Sequence, residues 1–228
     1  METGRSVLRR WDFVKPNPNY DFLRDRLREC REKHRKCRHN HTNRHHNIHV
    51  VNVRERIIQP LPIDAEYFAL SYVWGSAMQN YSSSCRSVSR SLPRTIEDAM
   101  VVVKSLGLDY LWVDSLCINQ SDSEEKLQQI RHMDSVYEAA FATIIVLDSS
   151  NADSGIFGVG QERVQAQMWA DIGGHRVVAR LPSLRDELDA SHWAKRAWTL
   201  QEGQLSTRCL VFSKHQVHFF CNEHNHSE

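Results

Sequence analysis

Apolar positions along this chain follow two periods, one near 3.6 residues and one near 2. Phe22, Leu23, Leu27 and Cys30 recur on one helical face amid charged neighbours, which predicts an amphipathic helix over residues 20–38. The polar tract RHNHTNRHHN that follows reads as a loop. Ile48, Val50 and Val53 alternate as in an edge strand, which Pro60 and Pro62 then stop. From about Tyr67 the pattern alternates regularly. Strands are expected near 67–72, 110–113, 143–148 and 208–212, and the run QVHFFC is also strand-like. Helices are expected near 94–106, where Pro93 suits a first turn, near 123–140 and near 194–205. In the second of these, Leu127, Ile130, Met133, Val136 and Tyr137 fall at helical spacing, with Ser121, Asp122 or Ser123 as cap. Strands alternating with helices imply an α/β fold built on a mainly parallel sheet with helices on both faces.

Residues 149–190 break the rhythm with GIFGVG and a hairpin signal at Gly173-Gly174, and read as an insertion after the third strand. The expected organisation is therefore an N-terminal extension over 1–62, with a helix, a His-rich loop and an edge strand, followed by one domain over 63–228. A hydrophobic share of 41% and a charged share of 25% suit a globular chain of 228 residues. The formal net charge of +1 provides no general field for nucleic acid or for membrane phosphate, so neither is expected as a partner. Apolar runs such as 139–147 are far shorter than the roughly 20 residues needed to span a bilayer, and the N-terminus has no apolar signal core. Six thinly spread cysteines point to reduced thiols, no disulfides and a cytoplasmic setting.

In an open α/β sheet, ligands bind beyond the carboxyl ends of the strands. The residues at those places are Ser71-Tyr72-Val73-Trp74-Gly75, then Asp114-Ser115-Leu116-Cys117-Ile118-Asn119-Gln120, and, in the last expected helix, Arg196-Ala197-Trp198-Thr199-Leu200-Gln201-Glu202. The ordered blocks ALSYVWG, LPRTIEDAM, YLWVDSLCINQ, EKLQQIRHMDSVYEAA and RAWTLQE resemble the motifs of the fungal heterokaryon-incompatibility (HET) domain, over Tyr67 to about Phe212. A more distant resemblance links the family to the Toll/interleukin receptor (TIR) domain, whose flavodoxin-like sheet also begins with a strand ending in Ser-Tyr. TIR enzymes place a glutamate four residues after a tryptophan, and Trp198 and Glu202 have that spacing.

The resemblance implies a cell-death effector of self/non-self recognition that, once oligomerised, hydrolyses the nicotinamide–ribose bond of NAD, with Glu202 as the catalytic group. NAD is then the substrate, no cofactor is required, and the implied partners are further copies of the chain or an upstream sensor protein. Chemistry agrees with a single carboxylate: nicotinamide leaves as a neutral amide, while the ribose gains oxocarbenium character that a nearby anion stabilises. The alternative is a non-catalytic module in which the same residues mediate homotypic assembly.

Each supporting residue has two readings. Trp198 either stacks on the ligand or anchors the core beneath its helix. Asp114 either holds a ribose or caps the turn after its strand, and Arg196 either grips phosphate or pairs with a nearby carboxylate. Ser71, Trp74 and Gly75 form either the floor of a site or an ordinary strand-to-loop turn. Cys117, between Leu116 and Ile118, reads as a buried apolar residue. Cys30, His34 and Cys37 share a helical face, with Cys221 as a potential fourth zinc ligand, but the spacing matches no known finger and no metal is expected.

Overall fold

The computed structural model describes residues 13–38, 48–75, 87–88, 91–120, 123–164, 167–196 and 202–228. Among the described residues ten strands are formed: β1 (His49–Asn52), β2 (Ile57–Pro60), β3 (Phe68–Ser71), β4 (Tyr110–Trp112), β5 (Ala142–Val146), β6 (Trp169–Ile172), β7 (His175–Val178), β8 (Arg208–Phe212), β9 (Val217–Cys221) and β10 (Asn225–Ser227). The helices are α1 (Tyr20–Lys33), α2 (Arg94–Ser105), α3 (Asp114–Cys117), α4 (Ser123–Arg131), α5 (Met133–Ala139) and α6 (Leu184–Ala190). All strands except β6 and β7 join one sheet in the order β10-β9-β8-β5-β3-β4-β1-β2.

The four strands of the alternating region, β4, β3, β5 and β8, are mutually parallel. Antiparallel pairs flank them on both sides, so the expected parallel sheet forms the centre of a larger mixed one. Connection length explains the difference: residues 53–56 and 213–216 are too few for a crossover and can only join antiparallel neighbours. The stretch expected as an edge strand is β1, which lies inside the sheet because β2 covers it. Pro60 ends β2 at the true edge, where a missing N–H breaks no interior ladder.

Every residue of β3, β5 and β8 is buried, the signature of strands covered on both faces. Along β5 and β8, Ile144, Val146, Leu210 and Phe212 join the main core, whereas Ile145, Leu147, Cys209 and Val211 join a second one with Trp193. That strict alternation places helical segments on both sides. Each such side chain contributes about 1.5–3 kcal/mol on burial. On α2, Ile96, Ala99, Met100 and Val103 form the buried face, and Gly107, at φ +87°, lets the chain turn back towards β4.

In α1, Leu23, Leu27 and Cys30 are buried, Phe22 only partly so, and Asn19 caps the first turn by accepting the Phe22 N–H at 3.1 Å. The helix ends at Lys33, short of the expected 38, because His34 is extended and a 3-10 turn over Arg35–Cys37 follows. The helix expected over 123–140 is likewise broken at His132 into α4 and α5. Only α5 docks fully, through Val136 and Tyr137, while Leu127 of α4 is 51% exposed although its spacing suggested the core. Packing, and no proline or glycine, accounts for that break.

The stretch 149–190 contains more structure than its glycines suggest. Residues 155–160 dock on α2, where the Asp98 carboxylate accepts the Ile156 N–H at 2.7 Å and Thr95 Oγ1 accepts the Gly155 N–H at 3.0 Å. The β6–β7 hairpin turns through Gly173 and Gly174, both at positive φ, as a two-residue hairpin requires. Helix α6 was not foreseen, although Ser183 and Asp186 form a capping box that the sequence S-L-R-D could have signalled. Its Glu187 is buried and accepts bonds from Ser213, His215 and His218, tying α6 to the β8–β9 turn. Among the described residues no helix is long and apolar enough to cross a membrane.

Candidate functional site

The chain leaves β3 for β4 on one side of it and later returns to β5 on the other, so the carboxyl ends of these strands flank a topological switch point, the place where open α/β sheets take their ligands. β3 ends in Ser71, β4 leads into Asp114 at the start of α3, and the helical residues 202–205 bring Glu202 across the same end of the sheet. Three segments far apart in sequence thus meet at one place.

Ser71 is the hub. Its hydroxyl donates to Glu202 Oε2 and accepts the Trp193 Nε1–H at 2.7 Å. Ser71, Trp193 and Glu202 are 1%, 5% and 8% exposed. Burial pushes the Glu202 carboxyl above its ordinary range, against the opposing pull of the Ser71 bond, the Arg196 charge and the Tyr137 hydroxyl. The segment carrying Glu202 approaches closely because Gly203 has no side chain: a Cβ there would lie 3.1 Å from the Trp193 ring.

Asp114 forms the second acidic centre. The Trp74 indole N–H lies 3.0 Å from both carboxylate oxygens, and Oδ1 also accepts the Ser115 N–H at 2.7 Å. Asp114 keeps some solvent-accessible surface, yet protein atoms enclose it densely. That burial, reinforced by the charge of Glu202, pushes its carboxyl up to about 7, while Arg196 opposes the rise. Arg196 is fixed by an Nη1 bond to the Tyr72 carbonyl at 2.8 Å, and the Tyr72 hydroxyl pairs with Ser115 Oγ at 2.9 Å. Two carboxyl groups and one guanidinium therefore act on each other electrostatically, and near neutral pH Asp114 is poised between acid and base.

Of the residues expected at the site, Ser71, Glu202, Asp114, Trp74 and Arg196 converge. Gly75, at φ +70°, is needed for a close approach, but to Asn151: an added Cβ would lie 2.5 Å from that side chain. Trp198 lies outside the described residues. The single helix expected over 194–205 is not formed, since Trp193–Lys195 make a 3-10 turn and Arg196 is extended. The indole that reaches Ser71 instead belongs to Trp193, which the sequence reading did not single out and which no local pattern marks. Cys117 is buried, with its thiol pushed up to about 12, in keeping with an apolar role and not a nucleophilic one.

Comparison with known proteins places this arrangement. A curated relative, the heterokaryon incompatibility protein 6, OR allele, of Neurospora crassa, is 25% identical over 191 residues, covering 63% of this chain. The chain spans only 28% of the length of that relative. No solved structure matches. The family model described as heterokaryon incompatibility protein (HET) matches residues 67–202, more than half of the chain and the very stretch that contributes Ser71, Asp114 and Glu202, so the chain belongs to the HET family.

Proposed function

We propose that this chain is a cell-death effector module of fungal incompatibility and that its strand-end site hydrolyses the nicotinamide–ribose bond of NAD when copies assemble. The observation that carries the reading is the Ser71–Glu202 pair beside Asp114 and Arg196, at the end of the sheet where an open α/β fold takes its ligands. The order β4-β3-β5-β8 of the parallel strands, counted along the chain as 2-1-3-4, is that of flavodoxin-like sheets and supports the TIR comparison. The relative's printed name supports the incompatibility role.

In the proposed reaction the bond between ribose C1′ and the pyridinium nitrogen breaks, and its electron pair leaves with neutral nicotinamide. Glu202 stabilises the oxocarbenium character at C1′, held in place by Ser71 and Trp193. Water adds at C1′ and loses a proton, for which Asp114, with a carboxyl near 7, is a suitable acceptor. The products are nicotinamide, ADP-ribose and a proton. Arg196 offers a guanidinium for the diphosphate.

A second reading, a non-catalytic module that assembles homotypically, is favoured by the β6–β7 hairpin. Trp169 and Ile172 are 53% and 63% exposed there, with Arg176 stacked over the Trp169 ring. The deciding experiment incubates the purified, concentrated chain with NAD and measures nicotinamide release. Glu202→Gln should lower release by at least about a hundredfold, and cell killing with it, as expected for loss of one preorganised electrostatic group. If Glu202→Gln still kills cells while Trp169→Asp does not, the scaffold reading replaces the enzymatic one.

A further inference from the structure

Cys30, His34, Cys37 and Cys221 come together where the first helix meets the last hairpin. Their ligand atoms all lie within 4.8 Å of one another, and His34 Nδ1 is 3.3 Å from Cys221 Sγ. A tetrahedral zinc, with Zn–S of about 2.3 Å and Zn–N of about 2.0 Å, holds its ligand atoms about 3.5–3.8 Å apart, so modest contraction completes the geometry. We propose that these four residues form a structural Cys3His zinc site that fastens the N-terminal helix to the C-terminal hairpin.

The local backbone is arranged to present the four ligands. Cys30 lies in the last turns of α1, and His34, one turn on, is where the helix stops. The 3-10 turn then carries Cys37 back towards the same point, which a continued helix would not do in the same way. Cys221 ends β9, and the turn after it folds so that the His224 N–H donates to Cys221 Sγ at 3.4 Å, which fixes the direction in which this sulfur faces the other three ligands. The two turns are clamped directly: Glu223 accepts the Lys36 N–H at 2.5 Å, and Asn222 Nδ2 donates to the Lys36 carbonyl at 3.4 Å.

A second, independent observation is the charge beside the cluster. Arg208 is 4% exposed and donates to Cys30 Sγ at 3.2 Å, to the Cys37 carbonyl at 2.9 Å and to the Phe141 carbonyl at 3.0 Å. Among the described residues it forms no ion pair with a carboxylate. A buried guanidinium without an anion is expensive. Three thiolates, one neutral imidazole and a divalent cation carry a net charge of minus one, which is the anion this cation lacks. Four protein ligands leave no open position, so the role is structural and not catalytic. The sequence names these four residues as candidates without showing that they meet; their convergence within one small volume, with Arg208 beside them, is what carries the zinc assignment.

The test uses the full chain purified from zinc-supplemented medium under reducing conditions. Plasma mass spectrometry should find about one zinc per chain, absent from Cys30→Ser and Cys221→Ser and retained in Cys117→Ser, whose thiol lies elsewhere in the core. Because the ligand variants can fail to fold, cobalt(II) exchange into the unaltered chain gives a readout that needs no substitution: a near-ultraviolet thiolate-to-cobalt charge-transfer band is expected. No stoichiometric zinc together with no such band overturns the proposal. So does a disulfide between Cys30 and Cys37 in the freshly purified, metal-free protein.

Discussion

Ser71→Ala removes one oxygen atom, and the geometry around it determines what that should do. The hydroxyl is both the acceptor at 2.7 Å from Trp193 Nε1 and a donor to Glu202, in a place where all three residues are buried. Losing a neutral bond costs about 1 kcal/mol and losing a bond to an ionised partner about 1.5–3, so the expected destabilisation is about 2.5–4 kcal/mol when Glu202 is charged. For a chain of this size that is a fall of roughly 5–15 °C in Tm. The cost should depend on pH. Glu202 already titrates above its ordinary range because of burial, and the Ser71 bond is what lowers it, so the variant raises it further. A carboxyl whose folded value exceeds its unfolded one contributes stability at low pH and loses it as the pH rises through the folded value. The cost of the substitution is therefore larger at about pH 8 than at about pH 5, where the group is more protonated in both proteins. Urea denaturation at the two pH values measures this, with the Ser71→Ala, Glu202→Gln and double variants closing a cycle. A cost below about 1 kcal/mol that is the same at both pH values would refute the buried Trp193–Ser71–Glu202 chain.

Two further outcomes follow from named contacts. Asp114→Asn should flatten the pH dependence of stability: the native-state carboxyl titrates at about 7 against an ordinary 3.8, so its contribution is complete below about 4 and lost as the pH rises through 7. Denaturation midpoints over that window check it, and parallel curves for parent and variant would contradict the assignment. Gly160→Ala should cost about 2–4 kcal/mol, because the added Cβ would collide with the Asp98 carboxylate that holds Ile156. In an Asp98→Ala background the same change should be nearly silent, and thermal melts of the four proteins decide it.

The amino-acid sequence by itself determined the elements that carry strong periodicity. The four all-apolar or nearly apolar runs became the parallel centre of the sheet, and α2 spans its expected range because its apolar stripe and flanking Pro93 and Gly107 leave no other solution. The motif residues Ser71 and Asp114 could be placed at strand ends for the same reason, since a parallel sheet puts those ends on one side, whereas Arg196 and Glu202 were placed only in the helix expected before the last parallel strand. The hairpin at Gly173-Gly174 was equally legible, as its turn needs residues that tolerate positive φ.

Tertiary structure decided everything that depends on contacts distant in sequence. The break at His132 carries no proline or glycine; it arises because α5 docks and α4 does not. Trp193, not a neighbour on a continuous helix, was selected as Ser71's partner by the turn at Arg196 and by Gly203 clearing space for its ring. Glu202 and Asp114 look like ordinary surface-compatible acids in sequence; burial pushes both carboxyls up, and the charge of Glu202 adds to the rise at Asp114. Cys221 lies far along the chain from Cys37, and no spacing rule can join residues whose meeting depends on α1 and β9 packing against one sheet. Periodicity records which face of an element avoids water, whereas a site is defined by which faces then come to share one small volume.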